Sequence, residues 1–85
     1  MKYVRLHHKT LMRDMVVLFS DFLVHAIMAE QTIKGHGWKA RDCKVVSAGL
    51  FDICANRVRV YGNSTSLNIG PHDDDVHLIG LELTR

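Results

Sequence analysis

Apolar and polar positions fall into stretches of different period along this chain, and each stretch predicts an element. Between Lys2 and His8, Tyr3, Val4 and Leu6 stand among polar residues, which fits a short strand. Asp14 to Phe19 carries the unbroken run Met-Val-Val-Leu-Phe, short and β-branched enough for a buried central strand. Lys9-Thr10 makes the turn between them. Ser20 then reads as an N-cap with Asp21 in the first turn. At about 100° per residue, Phe22, Ala26, Ala29 and Ile33 share one sector, widened by Leu23 and Ile27, which predicts the core face of a helix. Asp21, His25 and Thr32 form a polar strip. Val24 and Met28 fall outside the core sector, so a second layer or a partner has to cover them. Gly35-His36-Gly37 ends the helix.

Trp38 follows in a charged loop and reads as a plug at the edge of the core. Val45, Val46, Ala48, Leu50 and Ile53 build a strand, and Gly49 within it signals a bulge or a close backbone approach. Ala55-Asn56 reverses the chain. Val58, Val60 and Gly62 then alternate with Arg57, Arg59 and Tyr61, which places the last three together on an outer face. Leu67 and Ile69 anchor a Ser/Thr/Asn segment. Pro71 followed by Asp73, Asp74 and Asp75 starts a second helix, with Val76, Ile79 and Leu83 on one face and Leu78 and Leu81 on another. A final strand is the alternative over residues 76–84, because Leu81 to Thr84 also alternates and Gly80 weakens a helix. The expected fold is one α+β domain over residues 1–85: two layers, an antiparallel sheet with two helices, in the order β-β-α-β-β-(β)-α.

Composition narrows the class. A chain of 85 residues with 47% hydrophobic content is globular, and near the lower end of what folds without staples. No apolar run approaches the roughly 20 residues needed to cross a bilayer, and the charged N-terminus lacks the apolar region of a secretory signal. The expected location is the cytoplasm, away from any membrane, with Cys43 and Cys54 as free thiols. The net charge of +2 is uneven: residues 1–44 hold eight Lys/Arg against four acids, residues 45–85 three against five. A basic N-terminal half suits an acidic partner, although its cations are scattered singly.

Six histidines raise the question of a metal. His7 and His8 point to opposite faces of a strand, and although Asp73 and His77 are four apart, aspartates at a helix start are already explained by the macrodipole. No metal and no cofactor is expected. Cys43, Cys54, Ser47 and Ser64 are the available nucleophiles, and no nucleophile-elbow pattern surrounds them, so no catalytic residue is assigned. Ser64, Thr65 and Ser66 beside Gly62 and Asn63 offer an anion nest or, more simply, hydroxyls that satisfy a turn. Arg57, Arg59 and Tyr61 suit a nucleic-acid backbone and a stacked base, with Asp52 placed to neutralise them. The surplus apolar residues Val24, Met28, Leu78 and Leu81 predict a partner-binding surface.

The stretches Val45-Val-Ser-Ala-Gly-Leu50 and Val60-Tyr-Gly-Asn-Ser-Thr-Ser-Leu67, then Asp74-Asp75 and Ile79, resemble small phage and prophage proteins of uncharacterised function. Those carry a similar "SAGF … GxSxSL … ED" run after an upstream "H-A" helix, here His25-Ala26; Leu50 stands where Phe is expected, with Phe51 next to it. The resemblance covers roughly half the chain. It implies a phage-related accessory protein and supplies no catalytic residues. The expectation is therefore a non-enzymatic accessory protein that binds a protein partner, a host protein being one candidate, and that forms a homodimer. A nucleic-acid-binding module is the alternative, and a small metal-dependent enzyme the third reading.

Overall fold

In the computed structural model, which describes Met1–Arg85, strand β1 (Lys2–His8) divides its side chains between two cores. It pairs antiparallel with β2 (Arg13–Phe19) on one side and with β3 (Cys43–Cys54) on the other, and β3 pairs with β4 (Arg57–Tyr61). The sheet order is β2-β1-β3-β4. Val4 and Leu6 point to one face and pack with Phe19, Ala48 and Ala29 of helix α1 (His25–Gly35). Tyr3 points to the other and packs with Val16, Phe51 and Ile79 of helix α2 (Asp75–Leu83). The α+β class, with one antiparallel sheet and two helices, is as the pattern predicts. The helices take one face each, however, so helix, sheet and helix stack in three layers rather than the two expected. No helix is long and apolar enough to cross a membrane.

Local chemistry accounts for the joints. The β3–β4 hairpin turns on Ala55 and Asn56, both at positive φ (52° and 63°), as a two-residue turn matched to strand twist requires. Val46 is the extra residue of a bulge, since Arg5 faces Ser47 while Leu6 faces Val45. Gly49 marks the close approach: a Cβ there would lie 2.9 Å from Pro71 Cγ and 2.8 Å from the Tyr61 carbonyl oxygen. Gly37, at φ +73°, ends α1 in a Schellman motif, with Trp38 N–H donating to the Ile33 carbonyl and Gly37 N–H to that of Lys34. Trp38 is half-buried, stacked on His36 and edge-on to His8, the plug its position suggests.

Three expectations need correction. Strand β2 lies at the edge of the sheet, not in its middle; its apolar run reflects helices on both faces rather than strands on both sides. Helix α1 begins at His25, not after Ser20, whose side chain and carbonyl instead accept from Phe22 and Leu23 N–H in a turn. His25 and Ala29 are buried, flanked by Met28 and Ile33, while Phe22 is 96% exposed and Ile27 is exposed too. Helix α2 begins at Asp75, buries Asp75 and Ile79, and leaves Leu83 exposed.

Candidate interaction surface

The densest group of polar side chains joins α2 to the sheet. Asp75 is fully buried, and its carboxylate accepts four hydrogen bonds. Oδ2 takes Tyr3 OH at 2.5 Å and His72 N–H at 2.8 Å; Oδ1 takes Ser47 OH at 2.8 Å and Arg5 Nη1 at 3.0 Å. Burial alone would push this carboxyl up; the donors from Tyr3, His72, Ser47 and Arg5 outweigh burial and hold it below its ordinary range. Burial, then the bond to Asp75, raises the Tyr3 phenol far above its ordinary value. Arg5 also holds Asp14 at 2.7 Å and Asp74 at 2.9 Å, and His7 reaches Asp14 at 2.6 Å. Every lone-pair position on Asp75 is taken, so this cluster is an internal staple with nothing left to offer a substrate.

The residues of the phage-type resemblance serve the same end. His25 Nε2 lies 2.9 Å from the Gly49 carbonyl oxygen, and Ala26 N–H donates to Ser66 Oγ at 3.1 Å, so the segment after β4 caps α1. Ser64 is buried and its Oγ accepts Leu67 N–H at 3.2 Å; these hydroxyls close a turn rather than stand open as an anion nest. Leu67 and Ile69 anchor the segment on the α1-side core, as expected.

Of the four residues expected to bind a partner, the structure leaves Val24 and Leu81 exposed. Met28 and Leu78 are half-buried, Met28 against the α1-side core and Leu78 against the α2-side core. They belong to the packing because His25 and Asp75, each bonded to the sheet, rotate the helices from the orientation that apolar spacing suggests. Val24 instead joins Phe22, Leu23 and Ile27, a run of exposed apolar side chains where the chain enters α1. Met1, also exposed, is held beside them: its amino group pairs with Asp21 at 3.0 Å, and Lys2 Nζ donates to the Leu23 carbonyl. Spacing alone puts Phe22 on the core face of a helix; the structure instead turns the chain at Ser20, whose side chain and carbonyl accept from Phe22 and Leu23 N–H.

Arg57, Arg59 and Tyr61 do share the exposed outer face of β4. Asp52 accepts two bonds from Arg59, at 3.1 and 2.6 Å, and the Arg59 guanidinium lies 5.4 Å from the Tyr61 ring centroid. Arg57 is the cation of this face outside that pair. A second surface that the periodicity did not reveal is the outer edge of β2, which opens into a groove of about 670 Å³ between Thr32 and His36 on one side and Leu78, Glu82 and Arg85 on the other. Comparison with known proteins returns no matching family model, no matching curated protein and no matching solved structure.

Proposed function

We propose that this protein is a non-enzymatic accessory protein, of the phage or prophage type its motifs resemble, that acts by binding another protein and itself. The observation that carries this reading is Phe22: a phenylalanine 96% exposed, with its sequence neighbours Leu23, Val24 and Ile27 exposed too. Isolated apolar residues on a surface need no explanation, but four exposed apolar side chains between positions 22 and 27, one of them a bare aromatic ring, have the composition of an interface centre. The groups best suited to chemistry, Asp75 and Ser47, are spent on one another and on the sheet. Nucleic-acid binding through Arg57, Arg59 and Tyr61 is the lesser reading, because Asp52 neutralises one of its two guanidinium groups, that of Arg59. Cys43 and Cys54, at opposite ends of β3, are too far apart to be bridged, which suits a reducing compartment such as the cytoplasm.

The test is affinity capture with the wild type, F22S and R57E, followed by reconstitution with the purified partner. A protein held at high salt by the wild type and R57E, and lost with F22S, supports the reading. Retention that F22S leaves intact, or that salt or nuclease abolishes, overturns it.

A further inference from the structure

The outer edge of β2 pairs with no other strand of the sheet. It is seven residues long and pairs with β1 in unbroken register from Phe19 to Arg13, so it has no bulge to twist it away. From Met15 to Phe19 it carries no charge and no proline. Exposed sheet edges are ordinarily shielded by such features, because their free N–H and C=O groups template further pairing. The opposite edge shows the contrast: β4 has five residues, with Arg57 and Arg59 on its exposed face. The groove along β2 has α1 side chains above and α2 side chains below, a slot lined on both sides.

We propose that the occupant is a second copy of this chain: β2 pairs antiparallel with its counterpart about a two-fold axis near Val16, fusing two four-stranded sheets into one. This rests on the reading that the protein works through protein contacts, and it names the first partner. The axis stands perpendicular to the sheet, so each face continues into its like. Val16 then faces its own copy and Met15 faces Val17, apolar against apolar.

Charge fits the same arrangement. Arg13 and Asp14 mark one end of β2. Helix α2 starts over Arg5 and Ser47 and runs toward Val58, so Glu82 and Arg85 border the groove at the Leu18 end. Antiparallel pairing brings Arg13 of one copy toward the end of the other that carries Asp21, while Asp14 comes to the level of Glu82 and Arg85, which already pair with each other at 3.1 Å. The two Arg13 side chains stand about 20 Å apart, six residues of strand, well beyond the screening length of about 8 Å. Parallel pairing would set arginine beside arginine.

Two measurements test the seam. Amide hydrogen exchange on the unmodified chain reads β2 without mutation: alternate N–H groups of residues 13–19 become protected on concentration and exchange fast on dilution, in step with a doubling of mass by light scattering. In a C43S/C54S background, V16C oxidised with glutathione disulfide forms a covalent dimer that reductant dissolves, since residues directly opposed across antiparallel strands have Cβ atoms roughly 5 Å apart. A dimer whose β2 amides exchange freely and whose V16C chains do not cross-link overturns the seam while leaving the Phe22 reading standing. A monomer at every concentration overturns the seam as well. Loss of Phe22-dependent capture with β2 still protected overturns the broader reading alone.

Discussion

Replacing Asp75 by alanine is the most demanding test of the scaffold. The substitution removes one buried carboxylate and strands the Tyr3 hydroxyl, the Ser47 hydroxyl and the His72 N–H, with Arg5 losing its buried anion. Each orphaned buried donor costs about 1–3 kcal/mol, whereas Arg5 loses one of three carboxylates and keeps Asp14 and Asp74. These terms overlap, because Tyr3 and Ser47 can relax toward each other, so the expected loss is about 3–5 kcal/mol in all. For a domain of this size that is a large share of a whole stability of about 4–13 kcal/mol. D73A, on the exposed neighbour two positions earlier, changes stability by less than about 0.5 kcal/mol. Urea unfolding followed by circular dichroism, with both variants run beside the wild type, measures the difference. If D75A unfolds at the same urea midpoint as D73A, with the same slope, the staple is not what holds α2 to the sheet and the energetic argument fails.

The same cluster fixes the response to pH. Asp75 and Asp14 are held below their ordinary values, so their contribution is present above the unfolded carboxyl pKa of about 3.9 and is lost as pH falls through the folded values. D75N therefore flattens the acid limb of a stability–pH profile. On the alkaline side the raised Tyr3 keeps its proton while the unfolded phenol ionises near pH 10, so stability falls above about pH 10, and Y3F lessens that fall, leaving the part due to Cys43, whose thiol is also raised by burial. G49A forces a Cβ against Pro71 and the Tyr61 carbonyl and costs about 1–3 kcal/mol; adding P71A recovers part of it in a thermal-melt double-mutant cycle, and full additivity would refute the contact. Changing Ala55-Asn56 to Asn-Gly relieves a non-glycine residue at positive φ, and a rise of about 1 kcal/mol in unfolding free energy is expected. F22S leaves the urea midpoint unchanged, which separates its effect on binding from any effect on folding.

What the sequence revealed was what is local. The alternation in Lys2–His8 and Arg57–Tyr61 gave both strands, and Ala55-Asn56 their reversal, because a period of two and a tight turn need no distant partner. What stayed hidden was decided across the fold. His25 reads as part of a polar strip until Gly49, 24 residues on, offers its carbonyl. The α1 cap is Ser66, 40 residues downstream, and so the attractive Ser20-Asp21 start misplaced the helix and put Phe22 in the core. Asp73, Asp74 and Asp75 are equivalent as letters; Tyr3 and Ser47 select the third. Leu78 was lost to the interior for the same reason, because burying Asp75 turns α2. The position of β2 at the edge depends on strand order, to which hydrophobic period is blind.

Placing the first-made strand in the middle of the sheet has a consequence for synthesis. β1 and β2 emerge together as a hairpin, which alone is marginally stable in water. The strand that completes β1, β3, is finished at Cys54, 35 residues after β2 ends, roughly 2–7 s at translation rates of 5–20 residues per second. Through that interval Tyr3, Val4 and Leu6 lack β3 beside them, Tyr3 lacks α2 over it, and α1 lacks the serine that caps it. The nascent chain is most adhesive before its second half exists, and on a polysome, where copies emerge side by side, it competes with its neighbours for its own central strand.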